Sequence, residues 1–305
     1  EFLDKKGINI DKATERKIEN AFFSEDFTRV CPDDIGEVAF LARLIEEYLS
    51  CLLETFSVNI IKEKKFQVVV DYDPGNLSLL LPSFLSALGC TVYPLNERNN
   101  KRQGPRHFLD MLDSLSYLSK SVINKQADIG IIVDSNAEQL LLVDEKGNRI
   151  SDELLMVLMS MLALKLKEGA TITVPVTASR IIEDIAKDYQ GRVIRTKTNP
   201  RSVMEKAIEE KIFVGGKGLP GFRAHFDALF SLGRILEIMA KEDASLSTLV
   251  SKVPEFHISK RSIKCPWDVK GKVMRTLIHE TRTKKVELVD GIKVHHESGW
   301  ALVLP

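Results

Sequence analysis

Between residues 66 and 214, short apolar runs rich in β-branched residues alternate with longer segments whose apolar side chains recur at helical spacing. Phe66-Gln-Val-Val-Val70 ends in Asp71 and Gly75, a helical pattern runs from Ser78 to Leu88 and closes on Gly89, and Cys90 to Leu95 reads as the next strand. Buried strands joined through helices form mostly parallel sheets covered on both faces, so this alternation restricts the chain to an α/β architecture. A helix over Phe108–Asn124 then leads to a strand at Asp128–Val133, a turn, a strand at Leu140–Asp144 and the turn Glu145-Lys-Gly147. A second cycle follows: helices over Asp152–Lys167, Ser179–Tyr189, Arg201–Lys211 and Ala224–Ala240 alternate with strands at Thr171–Val176, Arg192–Thr196 and Ile212–Val214. A short helix is expected from Ser245 to Val253.

Both ends depart from this rhythm. Asp11 is suited to cap a helix reaching Phe23. From Ile35 to Phe56 one wide apolar stripe, with Asp33 and Asp34 at its start, predicts a single long helix. After Pro254 the order becomes a strand over Phe256–Lys264, a helix over Pro266–Glu280, and a hairpin of Lys285–Val289 and Ile292–His296 across Asp290-Gly291, which is an α+β unit. At 305 residues, several compact units are expected rather than one core.

Composition excludes whole classes of function. The chain carries 43 basic and 43 acidic side chains, so no net field draws in nucleic acid or an anionic membrane. Its longest apolar stretches stop well short of the ~20 residues that span a bilayer. The chain opens on Glu1 with no basic stretch leading into an apolar run, so a segment of a longer cytoplasmic polypeptide without a secretory signal is expected. Cys31, Cys51, Cys90 and Cys265 are scattered, which favours reduced packing residues over disulfides or zinc. His295 and His296 are neighbours on a strand and therefore point to opposite faces, where they cannot share a metal. The basic runs Lys62–Lys65 and Arg282–Lys285 read as solvated faces, and no G-x-S-x-G or H-E-x-x-H pattern occurs.

Two loops carry candidate chemistry. Asp134, Asn136 and Glu138 place oxygen ligands at alternate positions of the turn between two apolar strands, the way a loop grips Mg2+ or Ca2+. With only two carboxylates in the set, a polar turn without an ion is the favoured expectation. Gly216-Lys-Gly-Leu-Pro-Gly221 has the G-x-G-x-x-G form of a dinucleotide loop, but Pro220 stiffens it and no parallel strand follows its helix. An alternative use of Gly216, Lys217 and Gly218 is to hold a phosphate or sugar hydroxyls through backbone N–H groups and a cation.

Together these residues resemble the α-D-phosphohexomutase superfamily of phosphomannomutases and phosphoglucomutases over nearly the whole chain. Val68-Val-Val-Asp71 with Leu88-Gly89 and Val92–Asn96 resembles the start of the family's second domain, and Asp128–Asp134 through Gly147 resembles its metal-loop segment. Asp152–Leu155, Val176–Arg180 and Val193–Lys197 resemble the third domain, and Asp290–Val294 with Gly299–Val303 the fourth. The resemblance implies tandem phosphohexomutase-type α/β domains followed by an α+β domain. It divides the chain into the end of domain I (1–60), domain II (61–150), domain III (151–253) and a truncated domain IV (254–305). It implies a phosphate transfer between two hydroxyls of a hexose through a phosphoserine, with four loops supplying nucleophile, metal charge, sugar recognition and phosphate clamping.

The loops depart from that pattern. A serine loop of T-A-S-H-N-P type would precede Glu1; Asp134–Gln139 stands for D-G-D-A-D-R; Gly216–Gly221 for G-E-E-S-G-H; and Leu304 for the arginine of R-P-S-G-T-E-P. Each loss removes a charged interaction of about 1.5–3 kcal/mol. Catalysis is therefore expected to be lost, with no catalytic residue in this chain and no resident cofactor favoured over Mg2+. Arg180, Lys197 and Arg201, with Gly216–Gly218, are the candidate sugar-phosphate contacts. Cys265–Arg275 and Phe226–Phe230 resemble the phosphomannomutase-like region fused to some bacterial mannose-1-phosphate guanylyltransferases. That implies an accessory role in sugar-nucleotide synthesis, with a hexose phosphate as ligand, a fused nucleotidyltransferase as partner and self-association left open. The alternative is an active phosphomannomutase or phosphoglucomutase whose serine loop lies outside the chain.

Overall fold

The computed structural model describes residues 2–5, 8–25, 29–38, 43–71, 77–95, 108–134, 137–210, 212, 227–297 and 299–305. Its first sheet has five strands in the order β2-β1-β3-β4-β5: β1 (Gln67–Asp71), β2 (Thr91–Leu95), β3 (Ile129–Val133), β4 (Leu140–Asp144) and β5 (Arg149–Ile150). β1 pairs in parallel with β2 and β3, whereas β3, β4 and β5 run antiparallel. The alternation of strand residues decides what each face meets. Val68, Val70, Ile131, Val133 and Leu142 join the large core shared with the second half of the chain. Val69, Ile132, Leu141 and Val143 point the other way, onto Leu115, Leu118 and Val122 of helix α5 (Phe108–Lys125).

Helices α2 (Leu44–Leu53), α3 (Val58–Lys64) and α4 (Leu77–Ala87) contribute Leu52, Ile61 and Phe84 to the large core. The second sheet is the parallel pair β6 (Thr171–Pro175) and β7 (Arg192–Thr196), accompanied by α6 (Asp152–Leu166), α7 (Ile181–Asp188) and α8 (Pro200–Glu209). Ser151 and Asn199 cap α6 and α8 through Leu154 N and Ser202 N. Helix α9 (Ala228–Glu242) then packs on α3, β4 and α10 (Leu246–Ser251). It is buried all round, including Arg234 and Glu237. A helix with no solvent face is a core helix, and α9 joins the two α/β layers into one hydrophobic cluster. The last unit is helix α11 (Trp267–Thr281) with the antiparallel sheet of β8 (Val286–Glu287), β9 (Ile292–His296) and β10 (Gly299–Val303).

The α/β class with tandem, partly parallel sheets is observed, and three local expectations are corrected. The long N-terminal helix is broken: Pro32–Asp34 forms one 3-10 turn, residues 35–38 are irregular, and α2 starts only after Arg43, which sits in the left-handed region. Ile35 and Val38 are 64% and 80% exposed, so helix formation there would gain no burial to offset its nucleation cost. Helix α1 (Lys12–Phe23), by contrast, forms where expected, capped by Asp11. Residues 256–264 form no strand, because no neighbouring backbone offers them a ladder. Cys31 and Cys51 are exposed rather than packed inside; all four cysteines are free. Among the described residues no helix is long and apolar enough to cross a membrane.

Candidate functional site

In open α/β sheets ligands gather beyond the carboxyl ends of the parallel strands, and the turn between β3 and β4 lies there. Asp134 closes this turn on itself: its Oδ1 accepts from Glu138 N at 2.8 Å and Gln139 N at 2.7 Å, and its carbonyl accepts from Ala137 N at 3.0 Å. Ala137 takes a left-handed conformation, with φ at 58°. The turn is also fixed from outside, because Ala228 N, at the start of α9, donates to Ala137 O at 2.8 Å.

The residue before it, Asp227, caps α9 through Phe230 N at 2.9 Å, and its Oδ2 accepts the Tyr48 hydroxyl of α2 at 2.8 Å. The metal-type turn, α2 and the segment leading into α9 therefore meet within a few residues. Asp227 and Tyr48 were not among the candidates; an Asp just before an apolar helical run was the available signal for the first.

The carboxylates of Asp134 and Glu138 offer oxygens, the type that suits Mg2+, and among the described residues the bonds from the turn to the Asp134 side chain use Oδ1. Asp134 and Glu138 would hold the ion; Asn136 lies outside the described residues. Among the described residues no group of three or more His, Cys, Asp and Glu side chains forms a metal cluster. Oxygen donors at the end of a parallel strand are the set a hard cation takes, so the chemistry of the turn gives no support to the preference for a turn without an ion.

The candidate sugar-phosphate contacts are not brought together. Gly216, Lys217 and Gly218 lie outside the described residues. Arg180 stands at the start of α7 in a cleft facing the last sheet. Arg201 is already engaged by Asn9 O, by Glu205 at 2.6 Å and by Asp4 at 3.7 Å. Lys197 follows β7 beside Thr198, whose N–H and hydroxyl both donate to Asp290 Oδ2, at 2.8 and 2.5 Å. The bonds from Thr198 hold the Asp290 carboxyl below the ordinary range.

Arg195, unremarked in the sequence, organises the loop after β6. Its guanidinium grips both oxygens of Glu183, at 2.7 and 2.8 Å, and donates to the carbonyls of Ala178 at 2.6 Å and Ser179 at 3.1 Å.

Residues 46–147 match the family model for phosphoglucomutase/phosphomannomutase α/β/α domain II, and residues 150–256 match that for domain III. A phosphoglucomutase/phosphomannomutase of Thermococcus kodakarensis is 28% identical over 307 residues, covering 99% of this chain and 67% of that protein. A phosphoglucosamine mutase of Methanocaldococcus jannaschii is 29% identical over 319 residues, covering 99% and 69%.

Among solved structures, a phosphoglucomutase/phosphomannomutase family protein of Burkholderia thailandensis shares the fold with a TM-score of 0.70 at 21% identity, over 97% of this chain and 64% of that one. A phosphomannomutase-like structure from Thermus thermophilus does so with a TM-score of 0.65 at 14% identity, over 88% and 62%. The chain thus spans about two thirds of the length of its relatives. Gly216–Gly221 falls inside the domain III match, which removes the reason to read it as a dinucleotide loop. With domains II and III both present in order, the chain belongs to the phosphoglucomutase/phosphomannomutase superfamily.

Proposed function

We propose that this chain forms the central part of a hexose-phosphate mutase, an enzyme that moves phosphate between two hydroxyls of a sugar. The fixed turn at Asp134–Gln139 carries the reading: it stands beyond a parallel strand, offers oxygen donors, and is locked to the start of α9 by the Ala228–Ala137 bond. In this reading the turn holds Mg2+, which supplies positive charge to the transferred phosphate. Asp227 and Tyr48 fix the start of α9, to which that turn is bonded, and Gly216, Lys217 and Gly218 would meet the sugar. The division into the end of domain I, domains II and III and part of domain IV belongs to the same reading, with the nucleophilic serine outside these residues. The relatives leave glucose, mannose and glucosamine phosphates as the substrates to compare.

Incubating the full-length protein with Mg2+, a hexose 1,6-bisphosphate activator and each sugar 1-phosphate tests the proposal. Isomer interconversion with a phosphoserine visible by mass spectrometry is the expected result; neither appearing for any of the three sugars overturns it.

A second reading, a sugar-phosphate-binding accessory region without mutase activity, is favoured by Lys217 and Leu304, which replace an acceptor and an arginine of the family pattern. Binding of mannose 1-phosphate in calorimetry without turnover distinguishes it. Its link to a guanylyltransferase rests on the resemblance of Cys265–Arg275 and Phe226–Phe230 alone, and GDP-mannose formation by the full-length protein would test it.

A further inference from the structure

A cleft of about 1720 Å3 opens between α7, residues 256–259 and the β8-β9-β10 sheet. Lys293, on β9, forms part of its wall. Lys293 is 3% exposed, its Nζ donates to Val176 O at 3.1 Å and lies 4.4 Å from the centroid of the Trp300 ring. Among the described residues it makes no ion pair, although a buried ammonium carries a desolvation cost of several kcal/mol unless a counter-charge offsets it. The charges that act on it are Arg195, which opposes the ammonium, and Glu287 and Glu183, which favour it without an ion pair to it.

The acids around the cleft are mostly committed elsewhere. Glu183 neutralises Arg195, Asp184 pairs with Lys187 at 2.9 Å, and Glu287 faces His295 at 2.9 Å. That leaves Arg180, Lys284, Lys285 and Lys293 against Glu287, whose His295 partner is charged only when protonated, and Glu297. The first three are exposed and make no ion pair among the described residues, so their charges are free to face one ligand.

We infer that this cleft is a binding site for a small phosphate-bearing anion, with Lys293 as the buried counter-charge and Arg180, Lys284 and Lys285 at the rim. A dianion would accept the donors of Lys293 that Val176 does not use and give the ammonium a direct ion pair. The site is separate from the Asp134 turn and does not depend on mutase activity.

Trp300 is one of two tryptophans in these 305 residues, and the other, Trp267, is 85% exposed, so the difference in emission between W267F and W267F/W300F reports the cleft through the fluorophore in contact with Lys293. Titration of full-length W267F with inorganic phosphate at constant ionic strength, against chloride as control, should give a saturable change in Trp300 emission. Adding K285Q should weaken that apparent affinity at least threefold, and adding K293M at least tenfold. Should K293M fail to fold, K285Q and R180Q, both on exposed side chains, give the same reading. An emission unchanged by phosphate up to tens of millimolar, a response equally produced by chloride, or affinities untouched by the folded variants would each overturn the inference. Phosphate binding lost only on substitution of Asp134 would assign the anion to the mutase turn and overturn it as well.

Discussion

The N–H of Ala228 donates to the carbonyl of Ala137 at 2.8 Å, so the turn after β3 is tied to the first residue of a helix buried on every side. Ala228 is the first helical position, where proline fits, and Asp227 before it has the extended φ of −142° and ψ of 99° that a following proline favours. A228P therefore deletes this one bond while keeping the helix start. An expected loss of about 1–2 kcal/mol in urea denaturation checks the tie; no loss would mean that the turn is held by Asp134 alone.

Asp227 spends one oxygen on the helix cap and the other on Tyr48. D227A should cost about 1–2 kcal/mol through the lost cap, and Y48F about 1 kcal/mol through the lost hydroxyl bond. Because both changes remove the same contact, the double variant should lose less than the two single losses added together, which a double-mutant cycle measures.

Arg234 and Glu237 form an ion pair inside α9, with side chains 5% and 2% exposed. Arg234 also donates to Thr55 O at 3.3 Å and lies 5.2 and 5.3 Å from the ring centroids of Phe56 and Phe230. Burial raises the Glu237 carboxyl, but Lys241 at 2.8 Å, Arg234 and the Ser57 amide at 2.9 Å together hold it below the ordinary range. E237L strands the buried guanidinium and should cost about 3–5 kcal/mol, whereas R234M leaves Glu237 its bonds to Lys241 and Ser57 and should cost less. The apolar double variant should recover part of that loss by the same denaturation measurement.

Gly233 lets α9 approach α4 and the connection between α2 and α3 closely. A Cβ there would meet the Phe56 ring at 2.6 Å and Phe84 at 3.0 Å. G233A gains helix propensity yet should still destabilise by about 1–3 kcal/mol, because both rings belong to a packed core and cannot give way freely. A thermal melt raised by G233A would contradict this packing.

Burial, followed by the charge of Arg195, lowers Lys293 from 10.5 to about 8 in the folded chain. The unfolded chain then holds more protons between those values, so this residue's contribution to stability rises with pH across that window and is least favourable below pH 8. Comparing wild type with K293M cancels other titrations. The difference should move in favour of the wild type by about 3 kcal/mol between pH 7 and pH 10.5. Saturating phosphate should move the onset of this change to higher pH if the anion sits beside Lys293.

Sequence by itself determined the strands built on β-branched runs, such as Val68–Val70 and Ile129–Val133, which leave little conformational choice. It likewise set the helix starts at Asp11, Ser151, Asn199 and Ser245, where a short polar side chain accepts from the first free N–H groups. The turn carrying Asp134 and Glu138 was legible for the same local reason. Tertiary structure decided what depends on distant neighbours. The stripe from Ile35 to Phe56 looks like one helix, but only the part that finds a core becomes regular, as α2. Arg180, Lys197 and Arg201 share a charge type but not a place, since Arg201 is bound to the N-terminal segment and Arg180 faces another cleft. The role of Lys293 has no local signature, because the desolvation of an ammonium is set by what folds over it.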